Sequence, residues 1–77
     1  MLTRRQNEVL SFLVAHIEAH GFAPSYDEIA QALNMGSKSG VHHILRQLDE
    51  RGHIRRLPGR ARAIEIIRRP MAHRGAE

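Results

Sequence analysis

The chain has no cysteine among its 77 residues, which excludes a disulfide framework and any thiolate metal site. Cysteine usage therefore carries no information about the redox compartment. No apolar run approaches the ~18 residues that a membrane span needs. The N-terminal stretch is not expected to be a secretory leader: Arg4 and Arg5 come early, but Glu8 and its polar neighbours interrupt the apolar stretch after them. A cytoplasmic location is the resulting expectation. Internal repeats and low-complexity segments are absent. Domains of this size bury only about 60% of their unfolded surface, so the length allows one small core and no second.

The feature present in excess is positive charge, unevenly placed. The net charge is +4 and the isoelectric point about 11.1. Residues 1–35 hold Arg4 and Arg5 against Glu8, Glu18, Asp27 and Glu28, a net −2, whereas residues 36–77 hold ten basic residues against four acids, a net +6. Charge concentrated in this way is the electrostatic footprint of a polyanion binder, although a solvated basic surface would look the same in composition.

The chain reads as alternating elements. Thr3-Arg4-Arg5-Gln6 forms a capping box, in which the Thr3 hydroxyl takes the Gln6 N–H and the Gln6 side chain reaches back. Val9, Leu13 and Ile17 then recur at helical spacing, with Leu10 and Val14 beside them, until Gly21 stops the helix. Phe22-Ala23-Pro24 is extended because Pro24 disfavours a helical Ala23. Ser25-Tyr26-Asp27-Glu28 is a second capping box with two acids in the first turn, where the helix dipole favours them. Ile29, Ala30 and Leu33 form the inward stripe of this short second helix. It ends near Asn34-Met35-Gly36, with Gly36 suited to the turn, and Ser37 or Ser39 caps the third helix. Two helices joined by a short Gly-containing turn make a helix-turn-helix pattern.

The third helix runs to about Arg51, where Gly52 closes it, and it has two unlike faces. At about 100° per residue Val41, Ile44, Leu45 and Leu48 share one stripe. Ser39, His43 and Arg46 point away, with His42 at their edge, and no carboxylate joins them until Glu50. Hydroxyl, imidazole and guanidinium groups suit hydrogen bonding to base edges and phosphates. His53–Leu57 and Arg60–Ile67 are β-prone and are separated by the turn Pro58-Gly59. Ile64 and Ile66 alternate with Glu65, which reads as a hairpin. Three helices followed by a basic two-stranded hairpin define a mainly α, winged helix-turn-helix arrangement, with Arg60 and Arg62 near the tip of the wing. The domain is expected to span 1–69. Residues 70–77 show no periodicity and are expected to be a flexible tail. The expected core is Val9, Leu13, Ile17, Ile29, Leu33, Val41, Ile44, Leu45, Leu48, Ile54, Ile64 and Ile66.

Three stretches together carry a family likeness: Leu2-Thr3-Arg4-Arg5-Gln6, Pro24 to Ala30, and the run R-G-H-I-R-R-L-P-G-R-A-R-A-I-E from Arg51. The chain resembles the N-terminal DNA-binding domain of the LexA family, bacterial repressors of DNA-damage (SOS) genes, over about residues 2–69 without a gap. Ser37-Lys38-Ser39-Gly40-Val41-His42 with Arg55 to Ala63 resembles especially the subgroup associated with GTTC direct repeats. The resemblance implies base contacts from Ser37, Ser39, Gly40, His42 and His43. Palindrome-reading members have Asn and two consecutive Glu where this chain has Ser39, His42 and His43. Glutamate accepts from cytosine, whereas histidine donates to guanine or thymine acceptors, so a changed operator is implied.

Phosphate contacts are expected from Lys38 beside the third helix's N-terminus, from Arg46, and from the wing arginines Arg60 and Arg62. Of Arg55, Arg56, Arg60 and Arg62, at least two are expected to meet phosphates. The partner is a double-stranded DNA operator, with two copies pairing on adjacent half-sites for tight occupancy. No cofactor is expected. His16 and His20, spaced i, i+4, present a metal-like pair, but no further ligand completes a set, so both are read as solvent-facing. Tyr26 and Phe22 are read as covering the link between the first two helices rather than stacking on bases. The family's second domain, which cleaves its own linker with a Ser–Lys pair, is expected to be missing. The sole lysine, Lys38, sits between Ser37 and Ser39 in the turn and cap, and no enzymatic activity is expected. Two readings of the chain stay open: a domain cut from a longer repressor, or a naturally short family member. A second function, as a protein-interaction module that kept the fold and lost DNA specificity, would want a large exposed apolar patch, and the sequence shows none.

Overall fold

The computed structural model describes residues 2–57 and 64–68. The Pro58-Gly59 turn, Arg60, Arg62 and the tail from 70 to 77 lie outside the described residues. The elements run α1 (Arg4–His20), α2 (Tyr26–Ala32), α3 (Lys38–Glu50), β1 (Ile54–Arg56) and β2 (Ile64–Ile66). The two strands pair antiparallel, with Ile54 opposite Ile66, Arg55 opposite Glu65 and Arg56 opposite Ile64. Three helices and a two-stranded sheet in this order make a mainly helical winged helix-turn-helix fold.

Both expected capping boxes are formed. The Thr3 hydroxyl accepts from the Gln6 N–H at 3.1 Å, and Gln6 Oε1 accepts from the Thr3 N–H at 2.9 Å. Ser25 and Glu28 repeat the exchange at 3.1 and 2.7 Å. Each box satisfies two backbone donors that a helix start otherwise leaves unpaired. Helix α1 stops at Gly21, whose φ of 84° is the left-handed conformation that glycine adopts without a Cβ penalty. At the end of α3, Gly52 (φ 80°) donates to the Asp49 carbonyl and His53 to that of Leu48, completing a Schellman motif.

The turn between α2 and α3 differs from expectation. Asn34, not Gly36, takes the left-handed conformation, with φ 55°. Its N–H donates to Gln31 and that of Met35 to Ala30, which is again a Schellman pair. The register is set by where α2 stops: Leu33 is its cap, so the next residue must turn, and asparagine tolerates that region better than most side chains.

The core joins Val9, Leu10 and Leu13 of α1 to Ile29 and Ala30 of α2, to Val41, Ile44, Leu45 and Leu48 of α3, and to Ile54 of β1. Burying one such aliphatic side chain contributes about 1.5–3 kcal/mol. The α3 stripe is buried in full. Ile17, Leu33, Ile64 and Ile66, expected inside, are only half-buried, while Leu10 is fully enclosed. Ile17 lies on the last turn of α1, beyond the α3 contacts. With Val14, Phe22, Leu57, Ile64 and Ile66 it lines an open apolar groove. Phe22, Leu57 and Ile67 are the large apolar side chains left exposed among the described residues, so the surface carries an apolar patch, contrary to the expectation from sequence.

His16 is another departure. Its side chain is 13% exposed rather than solvent-facing. Nδ1–H donates to the Phe22 carbonyl at 2.9 Å, and the ring packs on Phe12, His20 and Phe22. It is thus a latch on the extended link. Among the described residues no group of three or more His, Cys, Asp or Glu side chains is placed to hold a metal.

Candidate nucleic-acid interface

Helix α3 presents its outer face to solvent because its apolar stripe is fixed on the core. Tyr26, Lys38, Ser39, His42, His43 and Arg46 line one shallow concavity. Four of the six are the outer-face residues expected from sequence, a fifth is Lys38 from the helix start, and none is a carboxylate. Tyr26 is expected over the α1–α2 link. Instead its ring lies 5.7 Å from that of His42. That contact needs the tertiary arrangement, since nothing local ties the first residue of α2 to the middle of α3.

The start of α3 is open. Ser37 is the N-cap residue with an extended backbone, but its hydroxyl makes no capping hydrogen bond. Ser39 belongs to the first turn. Of the two serines expected to cap the helix, Ser37 is the cap residue, and it caps without a side-chain hydrogen bond. No acid occupies the first turn, so the backbone N–H groups and the positive end of the helix dipole are not covered by a side chain of that turn. Gly40, also in this turn, is close to the preceding loop: a Cβ there would stand 3.1 Å from Met35 Cε.

The cations of this face are paired within the chain. Lys38 Nζ is 3.7 Å from Asp27 on α2, and Arg46 Nε is 3.6 Å from Glu50. Both pairs are exposed. Solvent-exposed ion pairs are worth little, about 0–1 kcal/mol, and compete readily with a phosphate. In the hairpin, Arg55 meets Glu65 across the strands at 3.6 Å. Arg56 is the exception to exposure, because it is half-buried with Nε 3.2 Å from Asp49 of α3. Burial alone would lower its pKa, but hydrogen bonds to Tyr26 and Asp49 outweigh it and raise the guanidinium pKa. Arg56 is therefore a charged clamp joining β1, α3 and α2, and is poorly placed to be one of the phosphate contacts.

Two glutamines reach the site from behind it. Gln6, buried in α1, donates from Nε2 to Gln47 Oε1 at 2.7 Å, and Gln47 Nε2 lies 3.2 Å from His43 Nε2. The i, i+4 spacing of His43 and Gln47 is legible in the sequence. The link to Gln6 spans 41 residues and is not. At the far end of α3, His53 has its pKa lowered by burial first, then by the positive charges of Arg68 and Arg51. Its Nδ1 is buried with no hydrogen-bond partner among the described residues.

No helix of the described residues is long and apolar enough to cross a membrane. The family described as the LexA DNA binding domain matches residues 1–63. A curated relative, the LexA repressor of Novosphingobium aromaticivorans, is 53% identical over 70 residues. That alignment covers 91% of this chain and 30% of the relative, so the chain spans less than a third of that protein's length. The matched domain is a non-catalytic, DNA-binding one. With the fold, the open start of α3 and the carboxylate-free concavity beside it, the match leads to one conclusion: the chain belongs to the LexA DNA-binding domain family.

Proposed function

We propose that this chain binds double-stranded DNA sequence-specifically as the reading domain of a LexA-type repressor of DNA-damage genes, acting by occupying promoter sites. The observation that carries this reading is the single concavity that gathers Lys38, Ser39, His42, His43 and Arg46 beside the open start of α3. Helix α3 enters the major groove with its N-terminal half leading. Ser37, Ser39, Gly40, His42 and His43 face base edges. Lys38, Arg46, Arg60 and Arg62 hold phosphates, and the first-turn N–H groups of α3 add a further anion contact. Two copies on adjacent half-sites give tight occupancy, because one domain covers one half-site.

A gel shift compares duplexes containing GTTC repeats with scrambled duplexes of equal length. Preferential retardation of the GTTC duplexes supports the reading. Equal binding to both overturns sequence-specific recognition. The interaction-module alternative gains one observation, the apolar groove by Phe22 and Leu57, which shares no lining residue with the α3 concavity. GTTC-selective binding that survives Phe22→Ser and Leu57→Ser shows that DNA recognition does not depend on that groove.

A further inference from the structure

We infer that a hydrogen-bond relay from the Thr3 backbone through Gln6 and Gln47 fixes the neutral His43 ring as its Nδ1–H tautomer, making Gln47 and Gln6 positioning residues for base selection. The inference rests on the proposed role of His43 as a base reader. It begins at a group whose polarity is certain, since a backbone N–H only donates. The Thr3 N–H points at the Gln6 side chain at 2.9 Å, so the Gln6 atom there is the carbonyl oxygen, and its amide NH2 faces the other way. That NH2 lies 2.7 Å from the Gln47 side chain, which must therefore answer with its own carbonyl oxygen. The Gln47 NH2 is then left facing His43 Nε2 at 3.2 Å. In the neutral ring that nitrogen has to accept, so the proton sits on Nδ1.

The opposite tautomer is disfavoured along the whole line. An Nε2–H would face the Gln47 NH2, donor against donor. Turning both amides around to suit it would set the Gln6 NH2 against the Thr3 N–H. Gln6 is 4% exposed, so water is poorly placed to relieve that clash. The cap of α1 thus dictates the hydrogen-bonding sense of an exposed side chain on α3. An imidazole in water exchanges freely between tautomers and reads donors and acceptors alike. A ring held as Nδ1–H offers only a donor on its free side. It pairs with guanine N7 or O6, adenine N7 or thymine O4, and it rejects the amino groups of cytosine and adenine.

The test uses the full chain with 15N labelling. Long-range 1H–15N correlation spectra at a pH where the ring is neutral should show His43 with a protonated-type Nδ1 and a pyridine-type Nε2. In Gln47→Glu the carboxylate keeps the Gln6 bond and only accepts, so the neutral His43 ring should move its proton to Nε2 and leave Nδ1 as an acceptor on the free side. Gln47→Met, which removes the donor without adding charge, should return the ring to the mixed tautomers of free imidazole. His42 serves as the internal control, and backbone amide spectra confirm that each variant is folded. Selection from randomised duplexes supplies the second readout. Wild type should favour an acceptor base at the position His43 reads, and Gln47→Glu should relax that preference about tenfold, the lower end of a base contact's worth. An Nε2–H ring in the wild type, or a tautomer that ignores Gln47→Glu, overturns the relay whatever the DNA result. A correct tautomer with base preference untouched by His43→Ala leaves the relay standing and overturns His43 as a reader, and with it the role of the two glutamines in base selection.

Discussion

The two helices of the helix-turn-helix begin in opposite ways. Helix α2 opens on a closed capping box with Asp27 and Glu28 in its first turn. Helix α3 opens on a serine whose hydroxyl caps nothing, and its first turn contains no acid. The first start satisfies two of its donors and places two acids on its own dipole, so it has little to offer an anion. The second has neither a side-chain cap nor an acid of its own first turn, at the edge of the α3 concavity. A closed start stabilises the fold, whereas an open one forgoes that gain and, in the proposed function, has donors left for DNA. Asp27 links the two through its 3.7 Å contact with Lys38, which keeps that cation beside the open start.

The strongest way to break the contrast is to give α3 the start that α2 has. Ser37→Asp should raise stability by about 0.5–1 kcal/mol through cap and dipole. The same change should lower DNA affinity at least about tenfold by placing an anion where phosphates approach. Urea melts and fluorescence anisotropy read the two effects. A stabilised variant that binds DNA as tightly as wild type would show that the open start is unused.

The reverse change acts on folding alone. Ser25→Ala should cost about 1 kcal/mol in urea denaturation, with affinity per folded molecule unchanged. Ser37→Ala, which removes no existing bond, should shift stability by no more than about 0.5 kcal/mol. Similar losses from both serines would erase the distinction. A smaller effect concerns the bridge between the starts. Lys38→Met should reduce the slope of log affinity against log salt by about 1, and Asp27→Asn should strengthen binding slightly by releasing Lys38.

The smallest expected effect sharpens the comparison at the other end of α3. There His53 follows the Schellman turn with its pKa held below 6.5 by burial and by Arg68 and Arg51. The unfolded chain then binds the proton more readily than the folded one. His53 therefore leaves stability intact above pH 6.5, and stability falls progressively as the pH drops below that value toward the folded pKa. His53→Gln should flatten this part of the pH profile in thermal melts. An unchanged slope would assign it to other histidines.

Helix identity, both capping boxes, the glycine stops at Gly21 and Gly52, the α3 stripe and the strand alternation are all legible in the sequence, because each is written within a short local stretch of fewer than ten residues. Departures come where distant groups decide. Ile17 keeps helical spacing but lines the open groove, and Leu33 packs only on the rim of the core. His16 looks free until the fold brings the Phe22 carbonyl within 2.9 Å of it. Gly36 looks like the turn residue because composition does not show how early α2 stops. The outer face of α3 is readable as a set. The inward connections of Tyr26 and Gln6, and the pairing of Arg56 with Asp49, need the fold. Arg60 and Arg62 lie outside the described residues.

The Arg56 clamp bears on how recognition would be organised in time. One guanidinium holds β1 against α3 through Asp49 and reaches Tyr26, whose ring in turn lies beside His42. The relative orientation of strand β1 and helix α3 is thereby settled when the chain folds. Little ordering of one against the other is left for the moment of encounter, so less of the binding free energy is spent on freezing internal motion. A partner would meet a template whose angles are already set, and loosening that joint should appear mainly as faster dissociation.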